Sequence, residues 1–166
     1  MSIRPKVEPA LLATAERLSP GAGEQAVHHA KNDLSLLDAT HENFSSRYAG
    51  EDVRIASPAV FEGKHVDGDP VEFKKAHDGL IIAFSDSFLF VRGVGFAVRE
   101  VKAIRNDEVQ VEKITTVLDG AEVPGLRIKA KIGKPHFALA ITVPDATSDP
   151  AVQAAVRDEI YAQLTS

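Results

Sequence analysis

The sequence of 166 residues contains no cysteine. This absence excludes disulfide bonds, thiolate metal sites and cysteine nucleophiles. The opening residues, MSIRPKVEPALL, lack the apolar stretch that a secretory signal needs, so we expect a cytoplasmic protein. Basic residues are in the minority, and a net charge of −5 does not favour nucleic-acid binding.

The composition is that of an ordinary folded protein. Apolar residues make up 44% of the chain and charged residues 26%, which is too apolar for a disordered chain. A chain of this length suits one domain, with or without a small appendage, and it can bury a hydrophobic core.

The most apolar stretch is GLIIAFSDSFLFVRGVGFAV, residues 79–98, which is long enough to be considered as a membrane span. Asp86 and Arg92 would each cost roughly 2.5–3.5 kcal/mol in a bilayer, which cancels the gain from the apolar side chains. Residues 92–96 resemble the start of an RNA-binding RNP1 strand, but Val94 occupies the position of the aromatic residue that stacks on a base. Neither interpretation is favoured.

A β-hairpin accounts for the same stretch better. Ser85, Asp86 and Ser87 favour a turn because their side chains bond to nearby backbone groups. The flanking segments, 79–84 and 88–92, are rich in Ile, Leu and Phe and have the length of strands. We therefore predict a buried hairpin that turns at 85–87.

Further strands are predicted along the chain from β-branched and alternating patterns. Leu126–Ile132, for example, alternates basic with apolar residues, which indicates a strand with one solvated face. With the hairpin, seven strands at short and regular spacing indicate a barrel or sandwich. The other predicted strands are Val53–Phe61, Val98–Ile104, Val109–Leu118 and His136–Val143.

A helix is predicted at the C-terminus. Asp149 is a favourable N-cap, Pro150 suits the first helical position, and an apolar residue recurs at every fourth position from Val152 to Leu164. This helix should dock on the strands.

Residues 1–50 are predicted to be a helical N-terminal extension to a β domain of residues 51–166. A short helix is expected at Ala10–Leu18, followed by a longer amphipathic run with a possible break near Ala39–Thr40. Its apolar stripe is either a face that packs on the barrel or a short coiled coil. The packing face consists of Val27, Leu34, Leu37, Phe44 and Tyr48.

The order of seven strands and one C-terminal helix resembles that of bacterial pleckstrin-homology-like (PH-like) domains over about residues 51–165. Three segments are similar in sequence to the opening strands of that family. They are residues 51–53, the predicted hairpin at residues 79–90, and Glu100–Ile104 with its alternating aliphatic residues. The resemblance implies a mainly β (α+β) fold, a seven-stranded antiparallel barrel or sandwich capped by the C-terminal helix. It also implies a binding or assembly module, since some members form homo-oligomers.

A basic ladder on one strand face is the candidate binding surface. It could meet an anionic partner, or it could be a solvated edge strand whose charges prevent aggregation. The ladder consists of Arg127, Lys129, Lys131, Lys134 and His136. Acidic residues dilute the basic residues of the region before residue 79, so phosphoinositide binding is not supported.

No catalytic motif, metal site or cofactor motif is predicted from the sequence. The six His residues do not form a His-x-x-x-His pair, and no nucleophile signature is present. We therefore expect a non-catalytic binding or scaffolding module that acts through protein contacts and self-association. The alternative is a carrier that holds a small molecule or lipid in a barrel cavity.

Overall fold

The computed structural model describes residues 2–39, 48, 50–63, 66–133 and 136–166. Within these ranges, three helices are delimited before the strands and one after them: α1 (Arg4–Leu18), α2 (Gly23–His29), α3 (Lys31–Ala39) and α4 (Pro150–Thr165). The strands are β1 (Ile55–Glu62), β2 (Val71–Glu72), β3 (Ala76–Ala83), β4 (Ser87–Gly95), β5 (Val98–Arg105), β6 (Val109–Leu118), β7 (Ala121–Ala130) and β8 (His136–Ile141).

The strands form one mixed sheet in the order β2-β6-β7-β8-β1-β3-β4-β5. Among the described residues, β2 pairs with β6 in parallel, and all other neighbouring strands pair antiparallel. The predicted mainly β, α+β class with N-terminal helices and a C-terminal helix is confirmed.

Two details of the predicted architecture are wrong. In the described residues the sheet has eight strands instead of seven, and the additional strand β2 was not predicted because its two residues are too few to show a periodic pattern. The sheet is also not closed into a barrel: within the described ranges, β5 and β6 are joined by a 3-10 turn at Asn106–Glu108 and are not hydrogen-bonded neighbours. β2 and β5 are therefore the two edges.

The predicted hairpin of residues 79–98 is confirmed. β3 and β4 pair antiparallel from Gly79–Arg92 to Ala83–Phe88, and the Phe84 amide donates to the Ser87 carbonyl at 2.8 Å to close the turn. In the described part of the chain, no helix is both long and apolar enough to cross a membrane.

The inner face of the sheet carries an aromatic core. The ring centroids of Phe90 and Phe137 lie 4.8 Å apart, and those of Phe61 and Phe137 lie 5.7 Å apart. Helix α4 packs against this core with its buried apolar residues, Val156, Ile160 and Leu164.

Helix α4 begins where the sequence predicts. Asp149 Oδ1 accepts a hydrogen bond from the Ala151 amide at 2.9 Å, and Pro150 follows the cap. The Gln153 side chain donates to the Ile141 carbonyl at 2.9 Å, which ties the first turn of the helix to the end of β8.

The N-terminal helices cover the outer face of the same strands. Val7 and Leu11 of α1 share a buried cluster with Ile82 and Leu89 of the sheet. Helix α1 begins at Arg4, earlier than predicted, because Pro5 suits the first turn of a helix.

The predicted amphipathic run is divided at Ala30, where the sequence indicated no break. Helices α2 and α3 are separated there, because the Ala30 backbone leaves the helical region. The predicted break near residues 39–40 falls at the last residue of α3, next to residues that are not described, and stays a prediction. The amides of Ala30 and Leu34 still donate to carbonyls four residues earlier, so the two helices nearly continue one another. Residues 40–47 lie outside the described residues.

Close packing in the middle of the sheet gives a test of this fold. A Cβ atom at Gly79 would overlap the Val91 carbonyl oxygen and lie 2.8 Å from the Phe61 ring. We expect Gly79→Ala to lower the free energy of unfolding by about 2 kcal/mol, as over-packing does, in urea denaturation. Gly95→Ala is the control, since its Cβ would meet nothing within 4 Å. Equal stability of the two variants would contradict the β3–β4 register.

Candidate interaction surface

The turn between β4 and β5 exposes a cluster of apolar side chains. Val94 is 47% exposed, Phe96 is 100% exposed and Val98 is 54% exposed. The β4–β5 register shifts between Gly93 and Gly95, and such a bulge re-aims side chains away from the sheet. Residues 94–98 are called the tip below.

The hairpin below the tip is held firmly in place. Arg92 Nε lies 2.9 Å from Glu100 Oε2 on the neighbouring strand, and the Arg92 guanidinium lies 4.8 Å from the centroid of the Phe137 ring. The Arg92 side chain thus connects the β4–β5 hairpin to the inner core and fixes the position of the strands from which the tip extends.

A cleft of about 350 Å³ opens beside the tip, between the sheet and helices α2 and α3. Much of its wall is made of small or apolar residues. These are Ala26, Ala30, Pro58, Leu80, Ala97 and Pro144. Since Ala97 belongs to the tip, the tip and the cleft are adjacent.

The polar wall of the cleft is an ion-pair network that joins α2 and α3 to the sheet. Arg99 donates to both carboxylate oxygens of Asp33, at 2.9 and 2.6 Å, and to the Asp78 carbonyl at 2.7 Å. His29 Nε2 lies 2.8 Å from Asp78 Oδ2. The sheet therefore holds the helices through charge as well as through apolar packing.

Asp33 is the most buried member of this network, with 7% of the residue exposed. Burial raises the pKa of its carboxyl above the ordinary 3.8, and the hydrogen bonds and charge of Arg99 lower it by less. The ionised form of the buried Asp33 carboxyl is therefore stabilised mainly by the guanidinium of Arg99.

A second groove, of about 520 Å³, follows the open seam of the sheet and is called the seam groove. Its apolar wall joins Ala103 and Ile104 of β5 to residues of β6, β7 and the turn after β7. Lys102 and Lys131 lie among the polar lining residues, and Ile132 is 93% exposed. The groove is the structural consequence of the missing β5–β6 pairing.

Four of the five residues of the predicted basic ladder lie in the described part of the chain. Arg127 is bound to Glu112, with Nη1 and Oε2 2.9 Å apart, and its Nη2 donates to the Gly68 carbonyl. Lys129 is exposed and faces half-buried His136 across β7 and β8. Lys131 is exposed at the seam groove, and Lys134 lies outside the described residues.

The N-terminal stripe lies against the outer face of the sheet. Leu34, Leu37 and Tyr48 are buried in the outer cluster, and Val27 is partly buried against it. The Tyr48 ring stacks on Phe84 with centroids 4.3 Å apart. Phe44 lies outside the described residues.

Sequence reasoning did not find the tip or the Asp33–Arg99 pair. The pattern Gly93-Val94-Gly95 carried a usable signal, since glycine inside a strand often marks a bulge. The ion pair carried none, because its members are separated by 66 positions in the chain.

Comparison with protein-family models and with curated proteins finds no match to this chain.

The buried ion pair gives a pH-dependent prediction. In Arg99→Gln the Asp33 carboxylate loses its guanidinium, so we expect the free energy of unfolding to fall by about 2–3 kcal/mol at pH 7. The pKa of Asp33 should rise further, so the folded state holds the proton to a higher pH than the unfolded state does. The penalty should therefore be largest at neutral pH and shrink as the pH falls towards 3.8.

Chemical denaturation of Arg99→Gln at pH 7 and near pH 4 measures this difference. Arg105→Gln is the matched control, because the Arg105–Asp107 pair is more than half exposed on both sides and should contribute little. A penalty independent of pH would show that Asp33 does not carry the effect.

Proposed function

We propose that the protein is a non-catalytic, cytoplasmic PH-like module that acts through protein contacts, including contact with a second copy of itself, and that the tip makes this contact. With the short strand β2 set aside, seven strands followed by helix α4 support the PH-like assignment.

The observation that carries the proposal is the complete exposure of Phe96 on a supported hairpin. Single exposed apolar residues are common on protein surfaces, but here three lie within five residues. Burying the Phe96 ring in a contact would gain roughly 1.5–3 kcal/mol. Aromatic side chains at such positions are frequent anchors of protein interfaces.

The charges around the tip favour a protein partner over an anionic surface. Arg99 is bound to Asp33, and Arg92 and Lys102 both lie within ion-pair distance of Glu100. These cations are already neutralised, whereas phosphate-rich partners recruit unpaired Lys and Arg.

The seam groove supports a second candidate function, that of a small-molecule or lipid carrier. Rings of Phe61, Phe90 and Phe137 occupy the inner face of the sheet, so a ligand would bind at the seam groove instead of in the centre of a barrel. The apolar lining with Lys131 at its edge suits an amphipathic molecule.

Sedimentation velocity over a concentration series tests the contact at the tip. We expect the wild type to dimerise with increasing concentration, and Phe96→Ser to weaken the association by about 100-fold, since each dimer loses an aromatic anchor from both copies. Ile132→Ser is the matched control, because it removes an apolar side chain of similar exposure, 93%, from a different turn. A wild type that stays monomeric at high concentration would contradict self-association.

Native mass spectrometry of the freshly purified protein tests the carrier function. A bound small molecule that is retained by Phe96→Ser and lost from Ile132→Ser would favour the carrier. A clean apo mass for all three proteins would count against it.

A further inference from the structure

We infer that the partner of the tip is the cleft of a second copy, so that two molecules form a symmetric dimer in which each Phe96 occupies the cleft of the other. This inference rests on the proposed function and specifies the surface that receives the tip.

The tip and the cleft are placed for a reciprocal contact. Ala97 and Arg99 line the cleft, and Phe96 immediately precedes them in the chain. In a two-fold dimer the same patch of both molecules must contain the inserted group and its receptor. An axis that passes close to Ala97 would bring each Phe96 to the opposite cleft.

Phe96 does not fill the cleft of its own molecule. The side chain is 100% exposed, although the neighbouring residue Ala97 belongs to the cleft wall. The base of the hairpin is fixed by the Arg99–Asp33 and Arg92–Glu100 pairs. The aromatic ring is therefore presented outward by the same hairpin that bounds the cleft.

The chemistry of the two surfaces is complementary. Residues 93–98 carry no charge, so insertion of the tip buries no ionised group. Small residues such as Ala26 and Ala30 leave room in the cleft, and Pro58 and Leu80 supply apolar contacts.

The polar wall of the cleft also favours an uncharged guest. The carboxylate of Asp33 is bonded by Arg99, and Asp78 is bonded by Arg99 at its carbonyl and by His29 at its carboxylate. An apolar side chain can therefore enter without leaving a charged group of the wall unpaired. Burying an unpaired charge would cost free energy of binding. The cleft selects an aromatic residue over an ion.

A variant of the cleft alone provides the first test. Asn32 is an exposed lining residue, so Asn32→Arg obstructs the cleft without disturbing the core. We expect it to weaken dimerisation at least tenfold in sedimentation velocity. Gln25→Arg is the matched control, because Gln25 is exposed on the adjacent helix, does not line the cleft and receives the same charge.

Mixing the two defective variants provides the decisive test. Phe96→Ser has an open cleft but no aromatic ring, and Asn32→Arg has the ring but an obstructed cleft. An equimolar mixture should form a heterodimer through one intact contact, weaker than the wild-type dimer but stronger than either variant alone. Circular dichroism of each variant confirms that both are folded.

The possible outcomes separate this inference from the proposed function. A wild-type dimer that Phe96→Ser disrupts, with no association in the mixture, would overturn the cleft as the receptor and leave the tip as the contact. A strictly monomeric wild type would overturn self-association as well. Association restored in the mixture supports the reciprocal dimer.

Discussion

The structure depends on burying both faces of the β3–β4 hairpin. Ile81 and Phe90 point into the inner cluster, whereas Ile82 and Leu89 point into the outer one. A sheet with one solvated face would alternate apolar and polar residues, but a strand covered on both sides can be apolar throughout. The hairpin therefore requires a cover on each side. Helix α4, with Leu18 and Ala26 of the N-terminal helices, provides it on the inner face, and other apolar residues of α1 and α3 provide it on the outer face.

The same constraint explains why the tip is exposed. The apolar run of β4 continues beyond Val91, where the core ends, into a bulge whose apolar side chains are exposed. The apolar side chains of the hairpin are buried in the core, whereas those of Phe96 and its neighbours are exposed on the surface. The Arg92 and Arg99 ion pairs mark the boundary between these two environments.

The fold was predictable where one local signal was strong. The Ser85–Ser87 turn and the Asp149 cap each use chemistry that lies within a few residues, so the hairpin and helix α4 were found with nearly correct bounds. Strand β2 and the open seam were missed, because two residues carry no period and closure of a sheet depends on strands far apart in the chain. The division of the N-terminal run at Ala30 left no compositional mark.

The candidate site shows the same division. Alternation along β7 indicated that Arg127 and Lys129 share a face, but it could not show that Glu112 of the opposite strand would bind Arg127. The sequence by itself determined the class of fold, the hairpin and its need for cover, since these follow from local periodicity and turn chemistry. Only the tertiary structure decided that the Arg99 side chain would meet Asp33 and that Phe96 would stand beside an apolar cleft, because contacts between distant segments depend on the packing of the whole chain.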